Sequence, residues 1–248
     1  MLTLVALIAF ATTFLGGLLA LKYTDRLHLV LGFSAGSVIG VAFFDLLPES
    51  LALAGENFGI SIITSVVALG FVAYLFLDRC ITLHAHTDEP GHGQAAATGS
   101  DGHCGRGIIG AGSLSIHSFL DGIAVGLAFQ VSAAVGAIVA VAVLAHGFSD
   151  GINTVSIILK NGGSKQSAFK WLATDALAPV MGIFLSIFFT LPEHILGIAL
   201  ALFCGFFLYI GASDLLPESH HQHPTLWTTV MTALGIAFIF VAVTFAGI

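Results

Sequence analysis

Charge is nearly missing from this chain. Of 248 residues only 8% are Asp, Glu, Lys or Arg, with seven cations and fourteen anions, whereas a soluble domain carries roughly 25%. So few charges cannot clothe a folded domain in a solvated surface, and a composition that is 57% hydrophobic belongs in lipid. Seven cations and a formal net charge of −7 also exclude the basic footprint of a nucleic-acid binder. Cysteine is sparse as well. Cys80, Cys104 and Cys204 are odd in number and widely spaced, which argues against a disulfide framework and against a CxxC metal site. Polar–apolar alternation over strand-length segments is absent too, and with it the pattern of a transmembrane β-barrel.

What remains are continuous apolar runs. A spanning helix needs about 20 such residues, and eight segments qualify: 1–21, 28–50, 58–80, 107–130, 133–159, 168–190, 194–219 and 224–247. The predicted fold is an all-α polytopic membrane protein, a single transmembrane domain of eight helices in the bilayer. The first run lacks a basic leader and is long for a signal peptide, so it reads as a retained helix.

The few cations set an orientation. Lys22 and Arg26 lie between spans 1 and 2, Arg79 and Arg106 flank the connection between spans 3 and 4, and Lys160, Lys165 and Lys170 surround the connection between spans 5 and 6. These are alternate loops, so they share one side of the membrane. Positive charge marks that side as cytoplasmic, which places both termini on the non-cytosolic side. The longest connection, 81–106, is rich in Gly, Ala and His and reads as a disordered cytoplasmic loop. Its His84, His86, His92 and His103 suit either transient capture of a soft cation or a solvated linker.

One hexapeptide occurs twice. DLLPES closes span 2 (Asp45 to Ser50) and span 7 (Asp214 to Ser219). In the topology above the two spans run in opposite directions, so the copies lie at opposite faces. That is the pattern of an inverted repeat, spans 1–3 against 6–8, as in many alternating-access carriers. Asp45 and Glu49 then share a helix face at the outer mouth, and Asp214 and Glu218 do so at the inner exit, where His220 and His221 follow. Such carboxylate pairs either line a cation path or simply end helices at the interface.

A second pair of motifs lies deep in the apolar runs: HSFLDG from His117 and HGFSDG from His146. An ionisable side chain at mid-bilayer costs about 2.5–3.5 kcal/mol even on the mildest scale. His117, Asp121, His146 and Asp150 therefore need compensation. Residues four apart lie one turn apart on one helix face. If spans 4 and 5 fold back near QVSA, His117 and His146 fall at equal depth, with Asp121 one turn to the outer side and Asp150 one turn to the inner side. Two imidazoles and two carboxylates suit Zn²⁺ or a similar dication. The structural alternative for each residue alone is a polar contact between helices. Gly122 and Gly151, after each Asp, permit close helix approach. Ser118 and Asp175 are candidate secondary ligands.

These features resemble the ZIP (zinc/iron-regulated transporter-like) family of divalent-metal transporters. The resemblance rests on the two H-x-x-x-[DE]-G motifs, on DLLPE closing span 2, and on the histidine-bearing connection between spans 3 and 4. It implies a helical bundle with an inverted repeat around a central span 4–5 hairpin, movement of a metal ion into the cytosol, and frequent homodimers. The usual span-4 pattern, His-Asn-x-Pro-Glu-Gly, reads here His117-Ser118-Phe119-Leu120-Asp121-Gly122. Ser118, Gly147 and Ala178 stand where two-metal members complete a second site, which implies one principal site and no full binuclear centre. Zinc is the expected cargo, with Fe²⁺, Mn²⁺, Cd²⁺, Co²⁺ and Ni²⁺ compatible with the same donors. The rival functions are an intramembrane metallohydrolase, which needs a general base as in H-E-x-x-H, and a metal-gated sensor or proton pathway.

Overall fold

In hydrocarbon a backbone N–H or C=O can bond only to the protein itself, and the α-helix satisfies both within one segment. The chain accordingly forms helices wherever the apolar runs lie. The computed structural model describes residues 1–21, 28–86, 100–220 and 226–246. In order these are α1 (Leu2–Ala20), α2 (His28–Val41), α3 (Leu47–His86), α4 (Ser100–Val131), α5 (Ala133–Lys160), α6 (Lys165–Ser186), α7 (Glu193–Tyr209), α8 (Leu216–His220) and α9 (Leu226–Ala246). Among the described residues no strand occurs, and seven helical stretches are long and apolar enough to cross a membrane. Large apolar side chains stand outward on them, including Leu7, Phe76, Phe188 and Phe245. In water such a surface would drive aggregation; in lipid it is ordinary solvation. The protein is a multi-pass integral membrane protein.

One of the stretches, Leu31–Leu77, covers 47 residues, about 70 Å of helix, more than twice the roughly 30 Å hydrocarbon thickness. It is broken at Gly59, whose φ of 74° and ψ of 156° fall where only glycine sits without strain. The α4–α5 connection lies where the QVSA reading put it. Ser132 is extended (φ −158°, ψ 162°), and its hydroxyl accepts from the Val135 N–H at 3.1 Å, capping α5. α3 continues to His86 and α4 begins at Ser100; residues 87–99 of the connection fall outside the described residues.

Both DLLPES copies begin inside a widened turn. Ala42–Leu46 and Ile210–Leu215 are π-helical, closed by Leu47 N–H to the Ala42 carbonyl and by Leu216 N–H to the Gly211 carbonyl. The cause is in the hexapeptide. Pro48 and Pro217 lack an N–H and crowd the preceding turn, and a shift to i→i−5 bonding relieves the clash.

The helices sort into two groups by packing. α1, α4, α5 and α6 form one bundle; α2, α3, α7 and α9 form the other, with α2 facing α5 across the boundary. Besides the α4–α5 hairpin, four tight pairs hold the bundles: α1 on α5, α4 on α6, α2 on α9 and α3 on α7. Each meets through glycines, Gly17 with Gly151, Gly122 with Gly182, Gly36 with Gly235 and Gly70 with Gly205. Helix association in lipid has no hydrophobic drive and depends on such close van der Waals approach. Gly122 and Gly151 are the glycines that follow each motif aspartate, so the HxxxDG spacing places the His and Asp on one face and a packing notch beside it.

Candidate metal centre

α4 carries His117 and Asp121 one turn apart, and α5 carries His146 and Asp150 in the same way. Folding at Ser132 brings the two faces together. The imidazole centroids lie 5.5 Å apart, and all four residues are buried, none more than 4% exposed. Asp121 Oδ2 lies 2.8 Å from His146 Nε2 and 3.2 Å from His117 Nε2; Asp150 Oδ2 lies 3.8 Å from each. One ligand atom from each residue falls within 4.8 Å of the others. A tetrahedral zinc with bonds of 2.0–2.1 Å sets its donors about 3.3 Å apart. The observed separations bracket that value, so this donor set needs only small rotations to enclose a dication.

The imidazoles are held from behind in two different ways. His146 Nδ1–H donates to the Ala142 carbonyl at 2.9 Å, one turn earlier on its own helix. A carbonyl can only accept, so that nitrogen keeps its proton and Nε2 is left for the metal. His117 Nδ1 lies 2.9 Å from the hydroxyl of Tyr74, which belongs to α3 in the other bundle. Gly147 offers no ligand. It lines a recess with Ala9, Thr13 and Pro179 that reaches Asp121 and Asp150.

Ser118 and Asp175, the candidate secondary ligands, are bonded to each other. Ser118 Oγ donates to Asp175 Oδ1 at 2.8 Å, and Thr154 Oγ1 donates to Oδ2 at 2.9 Å. Asp175 is fully buried, and its carboxylate ties α4, α5 and α6 together. Hydrogen bonds to a buried charged group contribute about 1.5–3 kcal/mol each. The expected result for Asp175→Ala is therefore a loss of several degrees in thermal stability, with zinc affinity of the purified protein within about threefold of wild type (RT ln 3 is below 1 kcal/mol, well under the cost of losing a ligand). A loss of affinity comparable to that of removing a motif histidine would make Asp175 a ligand instead.

Asp45 and Glu49 lie apart from the four-residue cluster. Asp45 sits in the first widened turn, fully buried, and neither carboxylate oxygen has a hydrogen-bond partner; Glu49, one turn on, is half-buried. The side chains of Asp214, Glu218 and His220, and His221 altogether, fall outside what the structure describes. Sequence reasoning missed Tyr74 and Thr154. Thr154 extends the four-residue step His146, Asp150 by one more turn, so the same periodicity contains it. Tyr74 carries only a weaker signal, a lone hydroxyl in the apolar run GFVAYLFL.

Comparison with known proteins places this geometry in a family. The model of the ZIP zinc transporter family matches residues 100–242, which takes in both motifs and more than half of the chain. The chain belongs to the ZIP family. Among its relatives in that family, zinc transporter ZIP13 of Homo sapiens is 27% identical over 78% of this chain and 63% of its own length. Zinc transporter YKE4 of Saccharomyces cerevisiae is 26% identical over 65% of this chain and 50% of its own length. Zinc transporter foi of Drosophila melanogaster is 28% identical over 49% of this chain. The chain spans from 17% to 63% of the lengths of these three relatives, so they carry sequence that this ZIP chain does not match.

Proposed function

We propose that this ZIP protein moves divalent metal ions, zinc foremost, across a membrane into the cytosol through the single site His117–Asp121–His146–Asp150. The observation that carries the reading is the convergence of four buried ligand atoms from two helices of a membrane-spanning bundle. Names of relatives point to the same cargo. Buried carboxylates in hydrocarbon are costly without a counter-charge, and a dication supplies it. A family of transporters and a ligand cluster set between spanning helices favour transport over an intramembrane hydrolase or a metal-gated sensor.

The chain crosses the membrane eight times in this reading, with α2 and α3 making two crossings that part at Gly59 and both termini outside the cytosol. Spans 1–3 and 6–8 are related as an inverted repeat. Exchanging span 1 with 6, 2 with 7, 3 with 8 and 4 with 5 turns the α1–α5 pair into α6–α4 and the α2–α9 pair into α7–α3, the tight pairs observed. The shared widened turn before each LPES supports the same relation. Asp45 and Glu49 gather cations on the outer side, and Asp214, Glu218, His220 and His221 receive them on the inner side. Ser118 and Asp175 act as a clamp behind the site. Glycine-locked contacts lie within each bundle, so the two bundles are the natural moving parts, and displacement of one against the other exposes the site to each side in turn. Release requires that affinity fall along the way.

Radioactive zinc supplied outside sealed proteoliposomes containing the full chain should accumulate inside and be competed by other first-row dications. A protein that binds zinc but gives no flux above empty vesicles is a sensor or an enzyme, and the proposal is then wrong.

A further inference from the structure

The two imidazoles of the centre differ in what stands behind them. Nδ1 of His146 is bonded to the Ala142 carbonyl on the same helix, so its orientation travels with its bundle. His117 is divided between bundles. Its Nε2 faces Asp121 and Asp150, while its Nδ1 meets the Tyr74 hydroxyl at 2.9 Å. The Tyr74 ring is nearly perpendicular to the imidazole, at 86°. It is fixed in the second bundle by Phe206 and Tyr209 of α7, at centroid distances of 5.5 and 5.3 Å, and Tyr209 is braced in turn by Phe71. Both Tyr74 and His117 are buried, so water cannot readily replace either partner.

We infer that Tyr74 is a positioning residue that makes the affinity of the metal site depend on the register of the two bundles. The inference rests on the transport reading. When a dication takes the Nε2 lone pair, Nδ1 must carry the proton, and the phenolic oxygen then accepts it. That bond fixes the tautomer and the ring angle, and it exists only while α3 stands beside α4. Displacement of the bundles removes the acceptor from His117 and leaves His146 fully supported. The site then loses one well-oriented ligand out of four, and the cation is held less tightly at the point in the cycle where it must leave. By linkage, an ion bound at Nε2 favours the register in which Tyr74 is in reach.

The test is Tyr74→Phe in the full-length protein, which keeps the aromatic packing and removes the hydroxyl. Loss of an outer partner of a metal ligand typically costs about 10–100-fold in affinity. Zinc binding to the purified protein should weaken at least about tenfold, measured by competition with a chromophoric chelator. In proteoliposomes KM for zinc should rise in parallel, while Vmax stays within about twofold, because release is not hindered. A packing defect would instead lower Vmax and thermal stability without zinc. The double-mutant cycle with His117→Ala decides the route of action: in that background Tyr74→Phe should have no further effect on binding. Unchanged zinc affinity in Tyr74→Phe, or an equal loss with and without His117, overturns the inference. If wild-type vesicles give no zinc flux while the binding cycle holds, the transport reading falls and the positioning role stands.

Discussion

His146→Ala should reduce zinc uptake to the level of empty vesicles. His146 is fully buried, its Nε2 lies 2.8 Å from Asp121 and 3.8 Å from Asp150, and it is the donor nearest both carboxylates together. Loss of a partner behind a metal ligand costs about 10–100-fold; loss of the ligand itself removes a bond to the metal and should exceed that range. The substitution also withdraws the group that stands between two buried carboxylates, so they face each other with less compensation. Some loss of folded protein is therefore expected beside the loss of function. Purified His146→Ala protein that elutes and melts like wild type separates the two effects: its zinc binding should still be lost. Near-normal uptake in that variant would remove His146 from the ion path and with it the four-ligand site. His117→Ala should also bring uptake to background, while His146, Asp121 and Asp150, which remain together, keep a weakened but still measurable zinc affinity.

The second large effect is steric. Gly151→Val should prevent the protein from reaching its native fold. A Cβ at Gly151 would lie 1.9 Å from the Thr13 carbonyl oxygen and 2.9 Å from the Gly17 nitrogen. Both are backbone atoms, so no side-chain rotation relieves the contact, and α1 must withdraw by more than an ångström. Overpacking of this kind costs roughly 1–3 kcal/mol, occasionally more. Here it also pries open the bundle that holds Asp150, the preceding residue. Expected are low yield of monodisperse protein and no detectable uptake. Gly55→Ala is the control: a Cβ there meets nothing within 4 Å, and alanine in place of glycine inside a helix is worth up to about 1 kcal/mol. If Gly151→Val were tolerated as well as Gly55→Ala, the close α1–α5 contact would not exist in the membrane.

Much of this protein is written locally. The scarcity of charge and the continuous apolar runs dictated helices in lipid, because hydrocarbon leaves a backbone no other partner. The four-residue step within HSFLDG and HGFSDG put each His and Asp on one face, and the small connection at Ser132 made those faces antiparallel neighbours. The duplicated proline of LPES carried its own local consequence, the widened turn before it. All of these follow from residues within a turn or a hairpin of one another.

What the sequence left undetermined depends on contacts distant along the chain. That Tyr74 meets His117, 43 positions further along the chain, follows from α3 standing against α4, and no periodicity of span 3 singles it out. Ser118 and Asp175 were read only as candidate secondary ligands, and the fold alone shows Asp175, from a third helix, accepting one hydrogen bond from Ser118 and another from Thr154. The assortment of helices into two bundles was likewise decided by complementary glycine notches, since apolar side chains gain nothing by leaving lipid for one another and shape alone selects the partner.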